Sequence, residues 1–187
     1  MKKPTMILML LILAFTATGQ AEVRKEYYLN SNLRSEINYK DGKQDGATRW
    51  YYKSGKLQME ENYTNGVIDG KASIYYENAT LKAELYYKNG RLHGMSKSYY
   101  KSGSLLEEVN YLNGRQEGIS KAYLENGTLK LEANFKNGQL AGLTKLYRDN
   151  GKIEFIDTYK NGRKANRKSY DESGKLLSDK DDPSGKE

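Results

Sequence analysis

Apolar and polar side chains alternate in short runs along most of the chain. Leu57, Met59, Glu61 and Tyr63 alternate with Gln58, Glu60 and Asn62, and all of the first set but Glu61 are apolar. Leu81, Ala83, Leu85 and Tyr87 form a matching run, and so do Leu129, Leu131, Ala133 and Phe135. A period of two is the mark of a half-buried strand. Glycine interrupts the repeats again and again, and no 3.6-residue pattern is present, so helix is a poor alternative.

The runs recur on a fixed grid. Aromatic residues stand at Tyr39, Tyr63, Tyr87, Tyr111, Phe135 and Tyr159, each 24 residues after the last. Three residues on come Gly42, Gly66, Gly90, Gly114, Gly138 and Gly162, each preceded by Asp or Asn. Four residues further come Gly46, Gly70, Gly94, Gly118 and Gly142, with Asn166 breaking the column. The other half of each unit carries Tyr51, Tyr75, Tyr99, Tyr123 and Tyr147. A second turn glycine follows at Gly55, Gly103, Gly127 and Gly151, with Ala79 as the exception. An aliphatic column closes the unit: Leu57, Leu81, Leu105, Leu129 and Ile153. Tyr27, Leu33 and Glu36 extend the grid upstream by half a unit, while Gly174 and Leu176 fall one place early.

A period of this length is the signature of a repeat architecture. Each unit reads as two strands and two turns. Neighbouring strands this close in sequence pair antiparallel. The fold class is therefore all-β, an antiparallel meander of about 12 to 14 strands in successive hairpins. It forms one elongated, twisted sheet of roughly 60 Å. The Asn-Gly and Ser-Gly pairs are hairpin turns, since glycine takes positive φ without steric cost. Ala79 would be strained there, so its turn is expected to differ in type. The buried face depends on the second turn. A three-residue loop with a glycine bulge puts Tyr51 opposite Leu57 on the aliphatic face. A two-residue loop puts Tyr52 and Trp50 there instead, because a one-residue slip inverts every side chain.

Tyr-Lys-Asn-Gly-Arg-Leu-His-Gly at 87–94, followed by Tyr-Tyr-Lys-Ser-Gly-Ser-Leu at 99–105, resembles the bacterial MORN repeat variant found in YwqK-type antitoxins. The resemblance runs from about residue 27 to 177. It implies strand-rich repeats that act as an interaction scaffold, in some proteins with a toxin as partner.

The ends of the chain read differently. Lys2 and Lys3 precede an apolar run from Met6 to Phe15, which is too short to span a bilayer. With Ala17-Thr18-Gly19 following, residues 1–21 read as a secretory signal peptide, cut after Gly19 or after Ala21. The expected location is the periplasm or the cell exterior, with no transmembrane helix left after cleavage. A cytoplasmic antitoxin would not need such a signal. Residues 22–177 form the repeat domain, about six and a half units. Residues 178–187 are polar and charged, and are expected to be a disordered tail. The chain has no cysteine, so the fold rests on packing and hydrogen bonds alone. Its formal charge of +7 is spread among alternating Lys and Glu, which favours solubility over one basic binding patch.

Candidate chemistry is sparse. His93 is the single histidine and occupies a position that is Asp69, Glu117 or Ala141 in other units, so it reads as a surface turn residue. Without cysteine or a second histidine there is no Cys/His metal cluster, and no catalytic site is expected. No metal or cofactor is expected either. Glu36, Glu60, Glu84, Glu108 and Glu132 form a column. Equivalent positions two strands apart lie about 9.6 Å from each other, too far for a retaining glycosidase pair. Arg49, Lys97, Lys121 and Lys145 fall between them as cross-strand partners. The expected function is thus non-enzymatic: an exported scaffold binding a protein, such as a toxin or an envelope protein, through a Tyr-rich sheet face. The alternative is binding of glycan, peptidoglycan or lipid headgroups by the same face. Export argues against nucleic acid. Columns filled in every unit are expected to carry stability. Trp50, Tyr76, Tyr86 and Tyr100 are the candidate partner-binding residues, being large aromatics where other copies have Ser, Ala, Asn, Leu or Arg.

Overall fold

The computed structural model describes residues 20–181, so most of the expected signal peptide and the last six residues lie outside the described residues. Every element within that range is a β-strand. The chain divides into two units at Arg91 and Leu92. The N-terminal unit holds β1 (Ala21–Tyr27), β2 (Leu33–Lys40), β3 (Lys43–Tyr51), β4 (Leu57–Thr64), β5 (Val67–Ile68), β6 (Gly70–Tyr75) and β7 (Leu81–Lys88). The short β8 (Arg91–Leu92) starts at its end. The C-terminal unit holds β9 (Gly94–Tyr99), β10 (Leu105–Leu112), β11 (Arg115–Gln116), β12 (Gly118–Tyr123), β13 (Leu129–Lys136), β14 (Gln139–Tyr147), β15 (Ile153–Lys160), β16 (Arg163–Tyr170) and β17 (Leu176–Asp181). Within each unit, strands adjacent in sequence pair antiparallel. β5, β8 and β11 are each split from the next strand by one residue, and joining them leaves fourteen strands. The all-β meander of hairpins expected from the grid is what the chain forms. β17 continues to Asp181, four residues past the expected end of the repeats.

Two turn types alternate. At the first, Asn65 has φ of 52° and Gly66 of 84°, with Thr64 paired to Val67. Positive φ at both central residues is the two-residue turn that Asn-Gly favours, because its twist matches that of the strands. At the second, the Gly55 amide donates to the Tyr52 carbonyl and the Tyr52 amide to the Lys56 carbonyl, each at 2.8 Å. Gly55 sits at φ 86°. This is the three-residue loop with a glycine bulge. Ala79 does not change the turn. It takes φ of 68° and keeps both hydrogen bonds, Ala79 amide to Tyr76 carbonyl and Tyr76 amide to Thr80 carbonyl. The backbone pattern imposed by the strands prevails over the alanine's preference. Left-handed φ costs an L-residue about 1–2 kcal/mol, and glycine gives back some of that in unfolded-state entropy. Ala79→Gly is therefore expected to raise stability by about 0.5–1 kcal/mol in urea denaturation. An unchanged midpoint would show that the turn carries no strain.

The register decides the faces. Tyr51 lies opposite Leu57, as the three-residue loop requires. The next pair is Trp50 with Met59, so Gln58 is an extra residue in a bulge. That bulge corrects the expected placement of tyrosine. From there the alternation puts Trp50, Thr48, Met59 and Glu61 on one face, and Arg49, Glu60 and Asn62 on the other. The tyrosine column belongs to the second, since the Tyr123 hydroxyl donates to the Glu108 carboxylate at 3.2 Å. The Trp50 half of the two-residue alternative thus holds together with the Tyr51–Leu57 pairing of the three-residue one.

Burial follows the first face, here called the inner face, with Ser73 of the other face as an exception. Its central row pairs Thr48 with Glu61, Ala72 with Leu85, Ser96 with Val109, Ser120 with Ala133, and Thr144 with Asp157. Thr48, Ala72, Ser96, Val109, Ser120, Ala133, Thr144 and Asp157 are all buried. The hydroxyls of Thr48, Ser96, Ser120 and Thr144 have no hydrogen-bond partner among the described residues. Ala72 fills the same position, so the site uses small size rather than the hydroxyl. Beside this row, Gly46 lies opposite Tyr63, Gly70 opposite Tyr87, Gly94 opposite Tyr111, Gly118 opposite Phe135 and Gly142 opposite Tyr159. A ring facing a glycine across strands covers the backbone that glycine exposes. This couples the aromatic and glycine columns physically. Burial pushes the Tyr63 hydroxyl up to about 12, helped by the Glu61 carboxylate that it donates to at 3.0 Å.

Candidate interaction surface

The outer face is built from three rows. The first is a charge ladder. In the N-terminal unit, register places Lys25 against Glu36, Glu36 against Arg49, and Arg49 against Glu60. Lys25 Nζ lies 2.9 Å from Glu36, and Arg49 reaches both Glu36, at 3.3 Å, and Glu60. Ser73 interrupts the row, and Lys71 supplies the partner of Glu84 instead. In the C-terminal unit Lys97 pairs Glu108 at 3.0 Å, and Lys145 pairs Glu132 at 2.9 Å. Lys121 lies between the two glutamates in register. The expected cross-strand pairing of the glutamate column is thus present. Hydrogen bonding by Lys25, aided by its charge and that of Arg49, holds the Glu36 carboxyl below the usual range against its partial burial. These half-exposed pairs fix register more than they stabilise, since such pairs are individually worth at most about 1 kcal/mol.

The second row is the tyrosine column next to the three-residue turns. The third row differs between the units. It reads Val23, Ala47 and Lys71 in the N-terminal unit, and Met95, Ile119 and Leu143 in the C-terminal unit. Met95 is 41% exposed, Ile119 53% and Leu143 48%. A shallow hollow joins Ile119 and Leu143 to Glu132, Asn134 and Lys145, so this row and the ladder share one face.

The four aromatic candidates do not share a face. Trp50 is half-buried on the inner face opposite Met59 and Ser35. Tyr86 is 40% exposed on the outer face, opposite Lys71, and takes the place of Asn38, Asn62, Asn110 and Asn134 in other copies. Tyr76 and Tyr100 are half-buried at the start of three-residue turns. Lys82 Nζ lies 5.6 Å from the Tyr76 ring. The Tyr100 hydroxyl donates to the Tyr123 carbonyl at 2.8 Å. Tyr28 does the same to Tyr51 at 2.7 Å, and Tyr52 to Tyr75 at 2.6 Å. Arg148 reproduces the bond to the Tyr170 carbonyl at 2.8 Å. Tyr100 thus belongs to a column that latches one turn to the next at Tyr28, Tyr52, Tyr100 and Arg148. Four successive tyrosines at 28, 52, 76 and 100 were the signal for it.

A second column varies in residue type but repeats one bond. Asp45 accepts the Asn65 amide at 3.0 Å, Asp69 accepts Asn89 at 2.9 Å, and Glu117 accepts Asn137 at 2.8 Å. The turn glycines add a backbone bond: Gly66 to Gln44, Gly90 to Ile68, Gly114 to Leu92 and Gly138 to Gln116. The turns at Gly66, Gly90, Gly114 and Gly138 therefore hang on the turn before them. His93 occupies the acid position of its unit. It is half-buried, not an open surface residue, and its Nδ1 is sealed from solvent with no hydrogen-bond partner among the described residues.

An ion pair with a buried carboxylate lies on the inner face. Both Asp157 oxygens accept from Arg167, at 2.6 Å each, and the Arg167 guanidinium stacks 3.8 Å from the Phe155 ring centre. No group of three or more His, Cys, Asp or Glu residues that could hold a metal ion occurs among the described residues. No helix among them is long and apolar enough to cross a membrane.

The repeats have known counterparts. The MORN repeat variant family matches residues 23–41, 44–65, 68–89, 92–113, 116–137 and 140–161. No curated protein matches the chain. Among solved structures it is similar to the GtfA/B complex bound to UDP and GlcNAc, at 12% identity and a TM-score of 0.25. That match covers 71% of this chain and 28% of the other, so this chain spans less than a third of that structure's length. A likeness so slight carries no functional argument. The six matched segments follow the hairpin period and span most of the chain, which therefore belongs to the MORN repeat variant family and is a repeat scaffold.

Proposed function

We propose that this chain is an exported, non-enzymatic scaffold that binds a protein partner through the outer face of its repeats, in the manner of an antitoxin or immunity protein at the cell envelope. The observation that supports this most is the row Met95, Ile119 and Leu143, three exposed apolar side chains in successive copies beside a charge ladder. Nothing in the backbone requires large apolar residues there, since Ala47 and Lys71 occupy the same place in other copies. Contiguous exposed apolar area rimmed by charges marks interaction sites. In the N-terminal unit the exposed Tyr86 offers area and a hydroxyl on the equivalent face, at low entropy cost.

Export fits the first strand. The Gln20 carbonyl accepts the Asp41 amide at 3.1 Å and Ala21 pairs with Lys40, so cleavage after Gly19 keeps both contacts, whereas cleavage after Ala21 removes both. N-terminal sequencing of protein from its own host is expected to give Gln20 or Glu22, and an intact Met1 would refute export.

Binding is tested on the double variant Ile119→Asp/Leu143→Asp. Both side chains are about half exposed, so the fold is expected to keep its melting temperature. Capture of the native envelope partner is expected to weaken by more than about 1 kcal/mol, as at an interface anchor. Undiminished capture would remove this face from consideration. Displacement of the partner by soluble glycan would favour the alternative, a glycan- or headgroup-binding scaffold.

A further inference from the structure

The seven Asn-Gly pairs of the described chain form an internal comparison. They are Asn65-Gly66, Asn89-Gly90, Asn113-Gly114, Asn126-Gly127, Asn137-Gly138, Asn150-Gly151 and Asn161-Gly162. In six of them the glycine amide donates a backbone hydrogen bond: to the preceding turn for Gly66, Gly90, Gly114 and Gly138, and within its own loop for Gly127 and Gly151. Gly162 makes no such bond among the described residues. The acid that would hold the Asn161 amide is also missing, because Ala141 stands where Asp45, Asp69 and Glu117 stand for their turns. The Gln139 side chain lies beside Gly162, close enough that an added Cβ would come 3.3 Å from its Oε1, yet it does not bond the glycine amide. The turn keeps its shape, with φ of 50° and 77°, but lacks both ties to the turn before it.

From this contrast we propose that Asn161 is the preferential site of spontaneous deamidation in the folded protein. The Gly162 nitrogen attacks Cγ of Asn161. A bond forms between that nitrogen and Cγ, the Cγ–Nδ2 bond breaks, and ammonia leaves with the glycine amide proton. Water then opens the succinimide at either carbonyl to give aspartate or isoaspartate. The reaction needs no other reagent. It requires the turn to open, because the left-handed turn geometry holds the glycine nitrogen away from Cγ, and a glycine nitrogen engaged as a donor must first be released. Each tie that is absent lowers the opening cost. The product places a negative charge, and in the isoaspartyl form an extra backbone atom, in the two-residue loop joining β15 to β16. The last hairpins of the scaffold would therefore loosen with age while the earlier ones stay intact.

The test is peptide mapping by mass spectrometry after incubation of the folded protein in mildly alkaline buffer, with isoaspartate read by electron-transfer fragmentation. Asn161 is expected to convert about 5- to 30-fold faster than the other six, corresponding to one or two missing hydrogen bonds. In denaturing urea the seven are expected to converge, because the protection is structural. Ala141→Glu restores the acid found in three other copies and is expected to slow Asn161 selectively. The proposal fails if another pair converts first in the folded protein, if Asn161 keeps the same lead in urea, or if Ala141→Glu leaves its rate unchanged.

Discussion

Arg167→Ala is expected to destabilise the protein by about 3 kcal/mol, the low end of the range for removing one partner of a buried ion pair. The Asp157 side chain is only 3% exposed, and both of its oxygens rely on the guanidinium. Losing Arg167 leaves a carboxylate on the inner face with no compensating charge. The effect stays at the low end because Arg167 is itself 41% exposed, so water can follow its removal. Stacking on Phe155 adds a smaller loss. Equivalent positions in other copies show that the pair is not needed for folding. Val109 and Ala133 fill the same place in the central row as Asp157. The double variant Asp157→Val/Arg167→Ala is therefore expected to recover most of the loss, since an apolar replacement of a buried pair is often neutral or better. Urea denaturation of both variants measures this. If the double variant were no more stable than Arg167→Ala, an uncompensated charge would not be the cause.

How far the sequence disclosed this arrangement depends on what each feature leaves in a single column. Turns, strands and the glutamate ladder recur in nearly every copy, and their positions followed from the 24-residue grid alone. The faces did not. Gln58 is an ordinary polar residue in an alternating run, and nothing about it announces that it bulges. Without that bulge, Tyr51 is drawn onto the aliphatic face and Trp50 away from it. The acid column was obscured for another reason. Asp45, Asp69 and Glu117 perform one task with two residue types, while His93 and Ala141 abandon it, so the column looks variable although it is functional where filled. Tyr76 and Tyr100 looked exceptional because their column ends in Leu124 and Arg148, yet Arg148 makes the same bond with different chemistry. The lost residue of the last unit is also physical. Between the pairs Ala133–Thr144 and Phe135–Leu140, residues 141–143 of β14 stand against Asn134 alone, whereas only Ala165 is extra in β16, so the wide bulge has narrowed. Asp157 and Arg167 belong to different columns, and their meeting required the actual pairing. The partner-binding surface was the least visible feature, because an exposed Ile or Leu in an alternating strand reads as core until the faces are known.

Deleting one period is expected to be tolerated, and deleting half of one is not. Removal of residues 115–138 joins Gly114 to Gln139, which recreates the Asn-Gly-Gln junction already present at 137–139. Every column then remains in step. The acid position of the joined unit becomes Ala141, so one cap is lost, but β10 meets β14 as β13 did. The expected cost is one repeat's share of the stability, about 1–4 kcal/mol at ordinary values per residue. Removal of residues 115–126 has a different consequence. It takes out one strand, so every strand after the cut runs in the opposite direction. An antiparallel meander that continues the same way with reversed strands must turn over, and its inner face becomes its outer face. The small central row of the downstream copies would then meet the charge ladder of the upstream ones. Glu108 and Glu132 would stand on neighbouring strands, where like charges oppose pairing, and the aromatic column would lose the glycines that receive it. The shorter deletion is thus expected to abolish the cooperative melting transition of the C-terminal unit, while the longer one keeps it at a lower temperature. Circular dichroism on heating distinguishes them. Equal melting of the two variants would mean that the faces are interchangeable, and the burial pattern described above would not be what holds the repeats together.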